Sequence, residues 1–254
     1  MIKKLFIHHS CQHLEKQITF LIDQFDNAGE YVVKGDRNII KRNALEQRMV
    51  SIKFFKKPSF LKSVVYGYFR ESKAKRSFDY ANILLKGGVS TPMPIAYYEE
   101  KTNMGLLSDS YYLCEHIEAD FTFRELIHNP LFPDRKVILK QFTAFTYKMH
   151  EHNVNFLDHS PGNTLIKKLG DNDYQFYLID LNRMKFESMS ISKRMENFKK
   201  LWLSKTMVKI ISKEYANLNG NSHKELFDLL MKYTKQFKRK ITKKKYLKRK
   251  IKKV

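Results

Sequence analysis

The chain has 254 residues, with 48 Lys or Arg against 26 Asp or Glu and a net charge of +22 at pH 7. That length suits one two-lobed domain with a core in each lobe, and two well-separated cysteines exclude a disulfide framework or a Cys-built zinc site. No stretch has the roughly 20 apolar residues of a bilayer span, and the apolar run in Met1–Ile7 is too short for a secretory leader. A reducing, cytoplasmic setting is therefore expected.

In chain order, Met1–Ile7 reads as a strand and His8, His9, Cys11 and His13 as the polar turn after it, in preference to a metal site. Tyr31–Lys41 reads as two strands around the turn Gly35-Asp36-Arg37-Asn38. A loop that cradles phosphates uses bare backbone N–H groups on glycines, and this one has a single glycine. Gly35, Arg37 and Asn38 would have to serve a nucleotide by a different geometry, with Arg37 adding charge. A plain hairpin turn explains the same residues.

Met49–Phe55 is a β-rich run with Lys53 embedded in it. A Lys in a strand built for burial needs an anion, and ATP phosphates plus an acidic side chain would supply one. The alternative is a solvent-facing edge position, as expected for Lys56 and Lys57. The next segment, residues 73–85, places Phe78, Ala81 or Asn82, and Leu85 at helical spacing, with Gly87-Gly88 as its stop. Asp79 is the one acid between Ser72 and Lys86 and is the candidate partner of Lys53, with Glu71 second; a solvated helix-face charge would also explain Asp79.

Through Ser108 the pattern is strands with one helix. Tyr111–Ile117 is a β-rich run suited to a hinge whose backbone holds adenine. Residues 123–127, 136–150, 191–212 and 224–237 read as helices, with Phe198, Leu201 and Trp202 on one face toward a core. The expected fold class is α+β: a β-rich N-lobe over about residues 1–108, a hinge at 109–118, a mainly helical C-lobe at 119–236 and a basic tail at 237–254.

The central motif is Phe156-Leu157-Asp158-His159-Ser160-Pro161-Gly162-Asn163, followed by the apolar run Phe176–Ile179 that ends at Asp180. Pro161-Gly162 is a turn signal, Thr164–Ile166 a strand, and Tyr174–Leu181 its partner across the loop Gly170–Asp173. An Asp, an Asn five residues on, and an Asp seventeen further at a strand end are what phosphoryl transfer needs. Asp158 orients or accepts a hydroxyl proton, while Asn163 and Asp180 hold Mg2+ against the phosphates of ATP. Mg2+ is a hard ion that binds through one or two carboxylates plus substrate phosphates. Taken singly, each residue is more often a cap or a turn; the ordered set carries the reading.

With Ser72–Phe78, Ser90-Thr91-Pro92-Met93-Pro94-Ile95-Ala96-Tyr97, Asp158–Asn163 and Ile179–Asn182 in place, the chain resembles the lipopolysaccharide kinase family of the Kdo/WaaP type, an atypical branch of the protein-kinase-like fold. The likeness runs from about Gly29 to Leu203. It implies phosphorylation by ATP and Mg2+ of a Kdo or heptose hydroxyl on a lipid-anchored acceptor, with Lys53 on the α/β-phosphates. It also implies work at the cytoplasmic face of the inner membrane. Two departures are evident: no His-Arg precedes Asp158, and no Phe-Gly follows Asp180. Both argue against phosphorylation-switched control and a protein substrate. A kinase for another small molecule or protein, and an inert kinase-shaped module, remain as competing readings.

The charge is uneven. From Lys232 to Lys253 there are thirteen Lys or Arg and no acid, with Phe237, Ile241, Tyr246, Leu247 and Ile251 interspersed. Such a tail suits an anionic membrane surface, where each basic residue contributes about 1 kcal/mol. The lack of a single-strand binding motif argues against nucleic acid, and oligomeric state has no signal.

Overall fold

The computed structural model describes residues 1–35 and 38–251, so Asp36, the Arg37 of the expected phosphate turn, and residues 252–254 lie outside the described residues. Its contacts divide the chain into two units, Met1–Glu118 and Ala119–Val254.

The first unit runs β1 (Ile2–Ile7), α1 (Glu15–Asp23), β2 (Glu30–Lys34), β3 (Asn38–Leu45), β4 (Arg48–Phe55), α2 (Phe60–Val64), α3 (Lys73–Lys86), β5 (Pro94–Lys101) and β6 (Leu107–Glu115). The strands form one antiparallel sheet in the order β1-β5-β6-β4-β3-β2. Because side chains alternate along a strand, β4 serves two cores. Val50 and Ile52 pack with Leu14, Ile18 and Leu113 on the α1 face. Phe55 packs with Ala74, Phe78, Tyr97 and Tyr112 on the α3 face.

One helix was expected in this region, and the described residues form three α-helices. α1, which was not expected, has its signal in Leu14, Ile18, Leu21, Ile22 and Phe25, whose 3–4 spacing is that of a core-facing helix. The end of α1 is tied down by Lys41 of β3, a buried lysine that donates to the carbonyls of Phe25, Asp26 and Ala28 at 2.6, 3.1 and 3.0 Å. Three carbonyls in place of a carboxylate satisfy its three donors. α3 begins where Ser72 accepts from Lys75 N and ends at Gly87, as its sequence signals require.

The second unit runs β7 (Phe121–Thr122), α4 (Phe123–His128), α5 (Arg135–Glu151), β8 (Val154–Phe156), β9 (Thr164–Gly170), β10 (Asp173–Leu178), β11 (Met184–Phe186), α6 (Ile191–Asn197), α7 (Lys205–Asn219) and α8 (His223–Ile251). The sheet β10-β9-β7 lies with the helices on a core that includes Phe123, Phe142, Phe176, Phe198, Ile211 and Tyr215, and β11-β8 forms a separate two-stranded sheet. A capping box at Thr122 and Glu125 starts α4.

The single helix expected over 191–212 is broken. A 3-10 turn, Phe198–Leu201, follows α6, Trp202 takes a left-handed φ of 58°, and Ser204 restarts the chain as the cap of α7. The reversal leaves Phe198 and Leu201 buried but turns Trp202 outward, where it meets Phe237 with ring centroids 5.7 Å apart. The helix expected over 224–237 runs further: α8 continues through Ile251, and every residue from Thr242 to Lys250 is exposed. Among the described residues no helix is long and apolar enough to cross a membrane.

Candidate functional site

In the second unit the motif residues converge. β8 and β11 pair Phe156 with Met184, and Leu157 N continues the ladder to Arg183 O at 3.0 Å. The chain then turns through Pro161–Asn163 into β9. Asn163 Nδ2 donates to the Asp158 carbonyl at 2.8 Å, and Ile179 N donates to Asn163 O at 3.0 Å. Asp158, Asn163 and the strand end that carries Asp180 are thus stitched by two hydrogen bonds.

Those bonds bear on metal binding. An amide that spends its NH2 on Asp158 turns its carbonyl oxygen, the end a hard cation binds, the other way. Asp180 has a φ of 60°, and Asn182 Nδ2 donates to its Oδ1 at 2.7 Å. A carboxylate offers about four lone-pair sites, so accepting an amide bond is compatible with ligating a cation. An all-oxygen pair of this kind fits Mg2+, which keeps its own waters, and does not fit zinc.

Asp158 itself is held from two sides. Lys200 Nζ lies 2.9 Å from Oδ1 and also donates to Leu157 O at 2.6 Å, while Arg183 Nη1 lies 3.5 Å from Oδ2. Behind the loop is a buried polar hub. Asn197 Oδ1 accepts from His159 Nδ1 at 2.8 Å and from His150 Nε2 at 3.4 Å, and its Nδ2 donates to Asn155 Oδ1 and Phe156 O at 3.0 Å each. Tyr215 OH completes the hub at 3.0 Å from His150 Nδ1. Burial pushes His159 down to about 4 and His150 down to about 3. Both rings are neutral at pH 7 and serve as rigid supports, not proton carriers.

Beside Leu157 and Lys200 opens a cleft of about 240 Å³, lined also by Lys185, Lys193, Lys199, Glu187, Glu196 and Asn197. Lys193 pairs with Glu187 at 2.7 Å and Lys199 with Glu196 at 2.6 Å. With Lys200 on Asp158, three of the four lysines face carboxylates, and Lys185 leaves the cleft modestly positive, which suits an anionic ligand.

In the first unit, Lys53 sits opposite Tyr112 in β6 and lies on the α3 face, its ammonium 5.2 Å from the Phe55 ring centroid. Lys73 Nζ stands 5.6 Å from the same ring. The expected Lys53–Asp79 pair is replaced by another: Asp79 binds Lys75 at 2.5 Å, and Glu71, the second choice, binds the same lysine at 2.8 Å. The reason is helical geometry. Lys75 is one turn from both acids, whereas the stripe of α3 that meets the sheet is Ala74, Phe78 and Ala81. Partial burial works to lower Lys75, and the two carboxylates overturn it, holding it above the usual lysine range. In the hairpin, Gly35 N donates to Asn38 O at 3.1 Å, closing the turn between β2 and β3.

A sequence profile of the lipopolysaccharide kinase (Kdo/WaaP) family matches residues 41–221. The chain belongs to the lipopolysaccharide kinase (Kdo/WaaP) family. No curated relative matches the sequence. Among solved structures, one described as WaaP in complex with acyl carrier protein is similar, with a TM-score of 0.64 at 16% identity, covering 94% of this chain and 98% of that one. The fold is α+β and protein-kinase-like, with a β-rich N-terminal sheet and a helical C-terminal part. As a member of this family the chain is a phosphotransferase with an alcohol acceptor, of the lipopolysaccharide core kinase class.

Sequence reading passed over Lys200, Arg183, Asn197 and the lysine cleft. Lys200 is 42 residues from Asp158 and sits in a Lys-Lys pair that looks solvated. The 3-10 turn that breaks the middle of the expected helix aims it at the loop.

Proposed function

We propose that this kinase transfers the γ-phosphoryl group of ATP, with Mg2+, to a hydroxyl of a Kdo or heptose residue of the lipopolysaccharide inner core. The acceptor oxygen forms the new bond to phosphorus, the bond to the β–γ bridging oxygen breaks, ADP leaves, and the hydroxyl proton passes to Asp158. Lys53 binds the α/β-phosphates, and Gly35 and Asn38 face them from the β2–β3 turn. Asn163 and Asp180 would hold Mg2+, which neutralises charge on the phosphates when bound.

The observation that carries this reading is the Asn163 amide fixed on the Asp158 carbonyl at 2.8 Å. It ties the proton acceptor to the metal-facing oxygen in one rigid loop, the preorganisation that phosphoryl transfer exploits. The lysine cleft beside Leu157 and Lys200 supports an acceptor that carries carboxylate or phosphate, as an inner-core sugar does. A lipid-anchored acceptor and the exposed basic end of α8 support work at the cytoplasmic face of the inner membrane.

The test is transfer from labelled ATP onto Kdo-lipid A and onto heptosylated core, beside Asp158→Ala. Transfer to one acceptor that vanishes in the variant names the sugar. Mg-dependent ATP binding without transfer moves the search to other acceptors. No ATP binding would leave an inert module.

A further inference from the structure

The segment Lys56–Arg70 is built inside out. It comprises α2 and a following turn of π-helix, Val65–Phe69. Its one buried side chain is Ser63, while Phe60, Leu61, Tyr68 and Phe69 are 70%, 78%, 63% and 81% exposed. Val65 is exposed as well, and Met104, at the tip of the β5–β6 hairpin, adds a sixth large apolar group at 69% exposure. Exposed apolar side chains scattered singly need no explanation, but a contiguous set does.

Polar atoms hold the segment in this pose. Ser63 Oγ donates to Leu107 O, and Tyr68 OH donates to Met104 O. Gly67 packs on the hairpin backbone so closely that a Cβ there would stand 2.6 Å from Gly105 O. The serine that could face water is used as the anchor, and the phenylalanines that could fill a core are turned to solvent.

The charge within the segment has one sign. Lys56, Lys57, Lys62 and Arg70 flank the patch, all exposed, and no Asp or Glu occurs from Lys56 to Arg70. Next to Tyr66, Tyr68 and Phe69 lies a cleft of about 370 Å³ lined by Lys4, Arg70, Lys75 and Lys101 with Glu71 and Glu99. An apolar face edged by lysines, with tyrosines at its border, is the composition of an element that lies in the interface of a bilayer. A surrounding basic collar adds attraction to anionic headgroups.

We infer that Phe60, Leu61, Val65, Tyr68, Phe69 and Met104 insert into the headgroup region of an anionic bilayer, with the cation-lined cleft receiving a headgroup phosphate. This deepens the membrane-borne acceptor proposed above, and in that sense rests on it, but it assigns docking to the first unit and not to the basic end of α8.

The experiment uses the full chain and vesicles of phosphatidylglycerol and phosphatidylethanolamine, without ATP or acceptor. Leu61→Trp, read as a difference from wild type to remove Trp202, should shift its emission to the blue and be quenched by brominated acyl chains. The triple variant Phe60→Ser, Leu61→Ser and Phe69→Ser, whose sites are exposed, should bind these vesicles at least tenfold more weakly with an unchanged melting temperature. Lys243→Glu, Lys244→Glu and Lys245→Glu together should leave the Trp quenching in place. Absence of quenching, or vesicle binding unaffected by the triple variant, would overturn the inference. So would retention on immobilised acyl carrier protein that the triple variant abolishes while vesicle binding persists. An inactive enzyme that still binds vesicles through this patch would count against the proposed reaction alone.

Discussion

Lys200 grips the loop of Asp158 twice, its ammonium 2.9 Å from the carboxylate Oδ1 and 2.6 Å from the carbonyl of Leu157. A single side chain therefore sets both the path of the backbone and the direction of the Asp158 carboxylate. Charge-assisted bonds of this length are about twice as strong as neutral ones. Displacing a catalytic group by about 1 Å can cost about a hundredfold in rate.

Lys200→Met should accordingly lower kcat by about 10- to 100-fold, with little change in the KM for ATP. Lys200→Arg, which keeps the charge, should recover part of that loss. Steady-state kinetics at saturating acceptor give the split. A rise in KM with kcat intact would show that Lys200 binds substrate and does not position Asp158.

Asp180 sits in the left-handed region with φ 60°, which decides how to test it. Asn tolerates that conformation, whereas Ala there adds roughly 1–2 kcal/mol of backbone strain. Asp180→Asn keeps the shape and removes the charge that would meet the metal. Turnover should fall by at least about 10³-fold, of the order expected when charge stabilisation is lost, with a melting temperature close to wild type. Asp180→Ala should fall as far in turnover and also melt earlier. A fully active Asp180→Asn variant would refute the metal assignment.

The lysine cleft makes a separate prediction for the acceptor. Lys185 is exposed, lines the cleft, and belongs to the strand that frames the loop. Lys185→Ala should raise the KM for an anionic acceptor about three- to tenfold, leave the KM for ATP alone, and shrink the salt dependence of the acceptor KM, since exposed charge contacts are modest and screened. An acceptor KM unchanged at low salt would mean that the cleft does not face the acceptor.

The elements with strong local signals were legible. β4 alternates through Val50 and Ile52, α3 carries a Ser cap and a Gly stop, and the Asp158–Asn163 loop and the strand end before Asp180, singled out by their order, come together. What sequence could not supply was orientation. Asp79 was the one acid on α3, yet a lysine one turn away claims it, because i,i+4 neighbours reach each other at no cost in long-range order. The break at Trp202 was invisible, since Phe198, Leu201 and Trp202 fit one helix face until Phe237 offers the Trp ring a partner on α8. α2 was missed for the opposite reason: its apolar residues are long enough for a core helix but face outward, a choice made by three contacts with the Met104–Leu107 hairpin.

The buried histidine hub predicts how stability responds to acid. His159 and His150 are neutral in the folded chain, with burial holding them at about 4 and about 3, against about 6.5 when unfolded. Above pH 6.5 both states carry neutral rings, and these groups contribute no pH dependence. As pH falls below 6.5 the unfolded chain binds two protons that the folded chain refuses, so stability is lost, and the loss levels off only below the folded values. Each histidine contributes a slope of up to about 1.4 kcal/mol per pH unit, so the pair should cost on the order of 4 kcal/mol between pH 7 and pH 5. That is a large share of a typical stability of about 5–15 kcal/mol. Melting temperatures recorded by circular dichroism over that range should fall steeply for wild type. His159→Gln, whose amide can still donate to Asn197 Oδ1, removes one titrating group and should melt with about half the pH slope. Equal slopes for the two proteins would mean that the hub is protonated in the folded state and does not set the acid limit of the enzyme.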